Sequence, residues 1–215
     1  VQIYFFSSST KQNDLIYYDN VTRVTGPAMT WAMHTIGFLD INDEMKADEY
    51  FNRSYSLYTR EPFNVWSESI PGMPAAGNFI TGAGGFLQSV INGYGGIRLH
   101  FEHLQIGKSF VPKGSNNLEF KGITYLSNVF RLLVNETSKT LSVVNFDPTH
   151  VIRVTADGVG LGNLKQGFSV TVPRESEISL RPIATQCTLK ETKVGDKAVH
   201  QTFNVVDDDW TLGSN

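Results

Sequence analysis

Apolar and polar positions repeat with two different periods along this 215-residue chain. To about Tyr94 the period is helical, and from about Gly95 it is two. In GPAMTWAMHTIGFLDI, residues Ala28 to Leu39 are apolar nearly all round. This predicts a helix buried on most faces, with Pro27 in its first turn, where a missing N–H costs nothing. NDEMKADEYFNRSYSLY follows. Ala47, Tyr50, Phe51, Ser54, Tyr55 and Tyr58 make one stripe of an amphipathic helix, and Asn52 lies opposite with Asp48, Glu49 and Ser56. Asn42 is the expected cap, with Asp43 and Glu44 at the positive end of the dipole. A third helix is expected through AAGNFITGAGGFLQSVINGY. Its glycines each cost about 1 kcal/mol against Ala, which makes sense where something packs close to the backbone. An all-apolar helix followed by an amphipathic one implies an inner and an outer layer.

The second half alternates. Phe168, Val170 and Val172 interleave with Ser169 and Thr171; Leu118 and Phe120 flank Glu119, and the phase slips after Gly122, as at a bulge. LSVVNF, HVIRVT and SEISLRP are further short strands, separated by turn signals such as Asp157-Gly158 and Lys113-Gly114. The pattern predicts an antiparallel sandwich or roll. The segment from Lys190 reads as a loop or edge strand, and VVDDDWTLGSN as a surface tail docked by Trp210.

Composition narrows the classes. The net charge of −3 and the charged fraction of 18 % exclude a basic nucleic-acid footprint. No apolar run reaches the roughly 20 residues that span a bilayer. VQIYFFSSST lacks both an initiator Met and a basic leader, so it reads as the interior of a longer chain, opening in an apolar strand-like or loop segment. The single cysteine, Cys187, cannot form an internal disulfide and reads as a small buried residue. Asn20-Val-Thr, Asn52-Arg-Ser and Asn135-Glu-Thr are N-glycosylation sequons. Together they favour the secretory pathway: a secreted or lysosomal/vacuolar glycoprotein carrying N-linked glycans.

Phosphate-loop, HExxH and GxSxG signatures are absent, and no cofactor or metal site is expected. His34 reads as a hydrogen-bonded core residue. His100 and His103 should fall on opposite faces of a strand. TGAGGF (Thr81–Phe86) lacks the lysine of a phosphate cradle and reads as close helix packing. EPFNVWSE (Glu61–Glu68) reads as a loop with two carboxylates and a tryptophan. Carboxylates beside aromatic rings suit glycoside hydrolysis, in which one carboxyl protonates the leaving oxygen and another activates water or attacks carbon.

KQND (11–14), GPAMTWAM (26–33), EPFNVWSE (61–68) and NFITGAGGFLQSVINGYGGIR (78–98), in this order, resemble the C-terminal part of glycoside hydrolase family 65. The resemblance is to its acid trehalase-like branch, which includes glucosidases of glucosylgalactosyl-hydroxylysine. It covers residues 1 to about 100 well and the rest in general character. It implies an α+β arrangement: the last helices of an (α/α)6 barrel (1–95), then a C-terminal antiparallel β-sandwich-like domain (96–215). It also implies inversion at the anomeric carbon, with Glu68 as general base and the general acid upstream of this chain. Lys11 and Gln12 match the family's sugar-binding Lys-Gln pair, although Asn13 departs from the usual Ala. Trp66 is a candidate sugar platform and Thr30 a candidate at the barrel mouth. Glu61, next to Arg60, is left without a role.

The related phosphorylases carry a His and a Ser where Phe79 and Gly82 stand here, which favours hydrolysis over phosphorolysis. The expected substrate is an α-linked glucosyl unit, glucosyl-galactosyl-hydroxylysine or trehalose-like. The expected partner is the N-terminal remainder of the same precursor as a second chain, without which this chain should be inactive. The competing reading is a non-catalytic secreted binding or structural protein that reuses the fold.

Overall fold

The structure is a computed structural model that describes residues 7–183. The apolar start of the chain, Cys187, the segment from Lys190, His200 and the tail with Trp210 lie outside the described residues. The described part is mixed α+β, with helices and one small hairpin up to Tyr94 and antiparallel strands from Ile97.

Helix α1 (Ser8–Val21) has no counterpart in the expectations, which read KQND without a helix around it. Its apolar residues follow no helical stripe, so periodicity hides it. Ser7 caps it by accepting the Thr10 N–H at 3.1 Å. Helix α2 (Ala28–Asp40) is the expected buried helix, with Ala28, Trp31, Ala32, His34, Thr35, Phe38 and Leu39 inside. Pro27 precedes it as the N-cap instead of standing within its first turn. Pro27 has no side chain to bond the freed N–H groups, and the backbone carbonyl of Glu68 accepts from Ala28 N at 3.1 Å. Helix α3 (Glu44–Ser56) is capped one residue later than expected. Asn42 sits at φ 65°, and Asp43 accepts the Lys46 N–H at 3.0 Å. Of the expected stripe, Ala47, Tyr50, Ser54 and Tyr58 are buried and Phe51 is partly buried, but Tyr55 is exposed; Asn52 is exposed. Asp48, expected on the outer face, is turned inward enough to accept from the Tyr94 hydroxyl at 2.5 Å.

EPFNVWSE forms a small hairpin. Strand β1 (Thr59–Arg60) pairs antiparallel with β2 (Val65–Trp66), and Glu61–Asn64 make the turn. Helix α4 (Ile80–Gln88) then continues into a π-helical segment, Ser89–Tyr94. Its glycines let it press against α2. A Cβ at Gly82 would stand 2.8 Å from Trp66 Cδ1 and 2.9 Å from the Ala28 Cβ, and one at Gly85 would stand 3.3 Å from Met29 Cα. Close packing is therefore what the glycine cluster serves.

The strands form two antiparallel sheets. Strands β5 (Asn117–Tyr125), β6 (Asn128–Asn135), β7 (Ser138–Asn145) and β10 (Ser169–Pro173) take the order β10-β7-β6-β5. Strands β3 (Ile97–Leu99), β4 (Leu104–Ile106), β8 (Ile152–Ala156), β9 (Val159–Asn163) and β11 (Ile178–Pro182) take the order β3-β4-β11-β8-β9. The register of β5 on β6 shifts between Lys121 and Ile123, where Gly122 has φ 82°, so the expected bulge is present. Both sheets feed one core, with Phe130, Leu132 and Leu141 from one and Ile106, Ile152 and Ile178 from the other. His100 and His103 do not diverge. The turn between β3 and β4 stacks their rings, centroids 4.7 Å apart.

Helices and strands are joined by polar contacts. Ser109 Oγ donates to the Gly95 carbonyl at 3.0 Å, and Arg174 reaches Glu44 at 2.9 Å. The fully buried Lys139 donates to the carbonyls of Ile106 (3.3 Å) and Gly107. Burial holds its ammonium down to about 8.

Candidate active site

Glu68 is placed by backbone pairing on both sides of its segment. Ser67 N donates to the Tyr58 carbonyl at 2.7 Å, which continues the β1–β2 hairpin. On the other side Phe79 N donates to the Trp66 carbonyl (2.8 Å) and Glu68 N to the Ala76 carbonyl (3.1 Å). The strap from Pro71 to Asn78 thus runs back along Trp66–Glu68 like a third strand. Its Ala76 N–H also donates to Glu68 Oε2 at 3.3 Å. Arg60 fixes the base of the strap by donating to the Ser69 carbonyl at 2.6 Å and the Leu57 carbonyl at 2.9 Å. Arg60 is therefore engaged with carbonyls, and Glu61 stands exposed in the turn, with no ion pair among the described residues.

The carboxylate of Glu68 is half-buried, and Oε1 has no hydrogen-bond partner among the described residues. Such an oxygen can accept a proton from water. Trp66 is committed to packing. Its indole donates to the Ser54 carbonyl at 3.3 Å, its ring lies 5.4 Å from that of Phe86, and Gly82 abuts it. Thr30 is half-buried in the first turn of α2, at the end where Glu68 meets that helix.

Lys11 and Gln12 lie elsewhere. Helix α1 packs antiparallel to α2, with Leu15 against Gly37 and Asp19 against His34. Lys11 and Gln12 are exposed one turn before Leu15, towards the far end of α2, on the order of 20 Å from Glu68 at 1.5 Å per residue. The structure groups Glu68, Trp66 and Thr30, and leaves the Lys-Gln pair at the other end.

A cluster that no motif announced holds α1 in place. Asp19 accepts from Lys46 Nζ at 2.8 Å and from the Tyr50 hydroxyl, and His34 Nδ1 lies 3.3 Å away without a directed hydrogen bond. Burial tends to raise the Asp19 carboxyl, but Lys46 and Tyr50 outweigh it and hold it below the usual range. Burial lowers His34. The only sequence signal is Asp19 itself, an acid outside any helix that periodicity predicts.

Asn20 and Asn52 are exposed on α1 and α3. Asn135 is half-buried at the β6–β7 turn, where its Oδ1 accepts from Ser138 N at 2.7 Å. A cleft of ≈ 630 Å³ lies between α3 and Pro112–Ser115, lined by Glu49, Tyr55 and Lys113 among others, and does not include Glu68. Among the described residues no His, Cys, Asp or Glu group is arranged to hold a metal, and no helix is long and apolar enough to cross a membrane.

No family model matches the chain. A protein-glucosylgalactosylhydroxylysine glucosidase of Dictyostelium discoideum is 38 % identical over 147 residues, which is 68 % of this chain and 20 % of that protein. The protein of the same name from Danio rerio is 34 % identical over 171 residues, 79 % of this chain and 26 % of that protein. This chain is a homologue of family 65 glycoside hydrolases. It spans about a fifth to a quarter of the length of these two relatives. Other family 65 homologues are named acid trehalase, periplasmic acid trehalase and kojibiose hydrolase. Among solved structures, a putative kojibiose phosphorylase from the human microbiome matches with a TM-score of 0.54 at 15 % identity, covering 78 % of this chain and 22 % of that one. That likeness shows the fold alone, a mixed α+β arrangement.

Proposed function

We propose that this chain is the C-terminal portion of an inverting α-glucosidase, with Glu68 as its general base. One observation carries the reading. Glu68 is pinned by its backbone on both sides, bound at Oε2 and unpaired at Oε1 among the described residues, at the N-terminal end of α2. In an inverting hydrolase Glu68 takes a proton from water, and the water oxygen bonds to the anomeric carbon. A second carboxyl, roughly 6.5–9.5 Å away, protonates the departing glycosidic oxygen. That acid belongs to the N-terminal remainder of the precursor, which completes the (α/α)6 barrel as a second chain.

The surface supports such a partner. Phe63, Ile80, Tyr17 and Tyr18 are exposed on the helical part, and a chain docked there would take them out of water. The names of the relatives point to an α-linked glucosyl disaccharide unit: glucosyl-galactosyl-hydroxylysine, kojibiose or trehalose. Trp66 would then shape the site from behind by packing. The three sequons support synthesis in the secretory pathway, as do relatives named acid and periplasmic trehalase.

Glu68→Gln in the complete protein should lower glucose release from kojibiose by at least about 10³-fold, as loss of a general base with its water demands, at an unchanged melting temperature. Retained turnover would remove Glu68 from the mechanism. A native assembly that releases no glucose from any α-glucoside would favour the binding or structural role.

A further inference from the structure

The two contacts between residues 68 and 76 differ in kind. Glu68 N to the Ala76 carbonyl, at 3.1 Å, is a backbone pairing that any residues could make. Ala76 N to Glu68 Oε2, at 3.3 Å, needs a side-chain acceptor at residue 68. The same residue of the strap therefore holds both the main chain and the side chain of Glu68. The strap itself is exposed from Pro71 to Asn78, and a Cβ at Gly72 or Gly77 would meet nothing within 4 Å. Its position depends on a few bonds: Ala76 to Glu68, Phe79 to Trp66, and Met73 N to the Ile70 carbonyl at 3.3 Å.

We propose that Ala76 is a positioning residue for Glu68. Its amide N–H fixes Oε2, so that Oε1 is the oxygen presented to the attacking water. The inference rests on Glu68 being the base. An N–H donated to one carboxylate oxygen fixes the rotamer of the side chain. A strap anchored this lightly would let the base swing by an ångström or more if the donor were lost, and misplacement on that scale costs about 100-fold in rate.

The test uses the complete protein and kojibiose as substrate, with Glu68→Gln assayed in parallel. Ala76→Pro deletes the donor. It should lower kcat by about 10- to 100-fold and leave KM within about twofold. An amide-to-ester exchange at Ala76 removes only the N–H and serves if the proline variant fails to fold. Unchanged kcat in these variants, with Glu68→Gln inactive, overturns the positioning role alone. A rise in KM that accompanies the fall in kcat does the same, because it marks a merely structural strap. An active Glu68→Gln overturns both this inference and the assignment of the base.

Discussion

The two parts of the chain build their cores from different side chains. In the paired sheets, apolar side chains point inward and the outer face is tied by short polar contacts. Thr140 and Thr171 meet at 2.8 Å, Ser142 and Ser169 at 2.9 Å, and Glu119 pairs with Arg131. The helical part has an equally dense centre, in which Trp31 and Tyr50 stack at 5.7 Å and Trp31 donates to the Tyr58 hydroxyl at 2.6 Å. Yet it also displays large apolar groups outward, with Phe63 at 84 % and Ile80 at 82 % exposed. The strand part is not free of such exposure: Phe101, in the turn between β3 and β4, is fully exposed, and Leu99 is 74 % exposed. What differs is the core: mostly aliphatic between the sheets, and aromatic with directed hydrogen bonds among the helices.

The contrast can be broken by mutation. The largest effect is expected within the sheets. Phe130→Ala removes a fully buried ring shared by both sheets and should lower the unfolding free energy by about 3–5 kcal/mol, read from urea denaturation. A loss below about 1 kcal/mol would show that the core can collapse around the gap. Next is Lys139. Its pKa is about 8 when folded, against the ordinary lysine value of 10.5, so the unfolded chain binds more protons between those values. Stability should therefore rise with pH across that window, by on the order of 3 kcal/mol in total. Lys139→Met should abolish the rise, and urea midpoints at pH 8 and 10 measure it. The helical part should respond oppositely at the alkaline end. Burial and the carboxylates beside Tyr50 and Tyr94 raise both phenols, so their contribution is lost above pH 10. The smallest expected effect is the sharpest for the comparison. Phe63→Ser with Ile80→Ser should change the stability of this chain by less than about 0.5 kcal/mol, while weakening co-purification with the N-terminal remainder. Intact assembly would mean that the exposed face is not the interface.

Legibility followed physics. The bulge at Gly122 was readable because a phase slip in a period-two pattern has one structural solution. Helix α2 was readable because its apolar residues surround it. Helix α1 was not, since it is held by Leu15 and by Asp19, and one apolar contact and one ionic contact make no periodic signal. Asp43 took the capping role from Asn42 because both are good caps one residue apart, and the backbone decided between them. His100 and His103 misled because alternation assumes a continuous strand, and the chain turns between them. At the site, Glu68 was nameable from its motif, but Trp66 read as a platform for sugar and proved to be bound into the helices. The donor at Ala76 is a backbone group, so no residue type could have announced it.

Gly82 has a consequence beyond close packing. The absent side chain there sets the gap between α4, the first turn of α2 and the indole of Trp66. Trp66 is two residues from Glu68 on the same extended segment. A single hydrogen atom on α4 therefore works as a shim beneath the carboxylate. Thickening it by one methyl group would push against Trp66, Ala28 and Phe79 and displace the segment that carries Glu68.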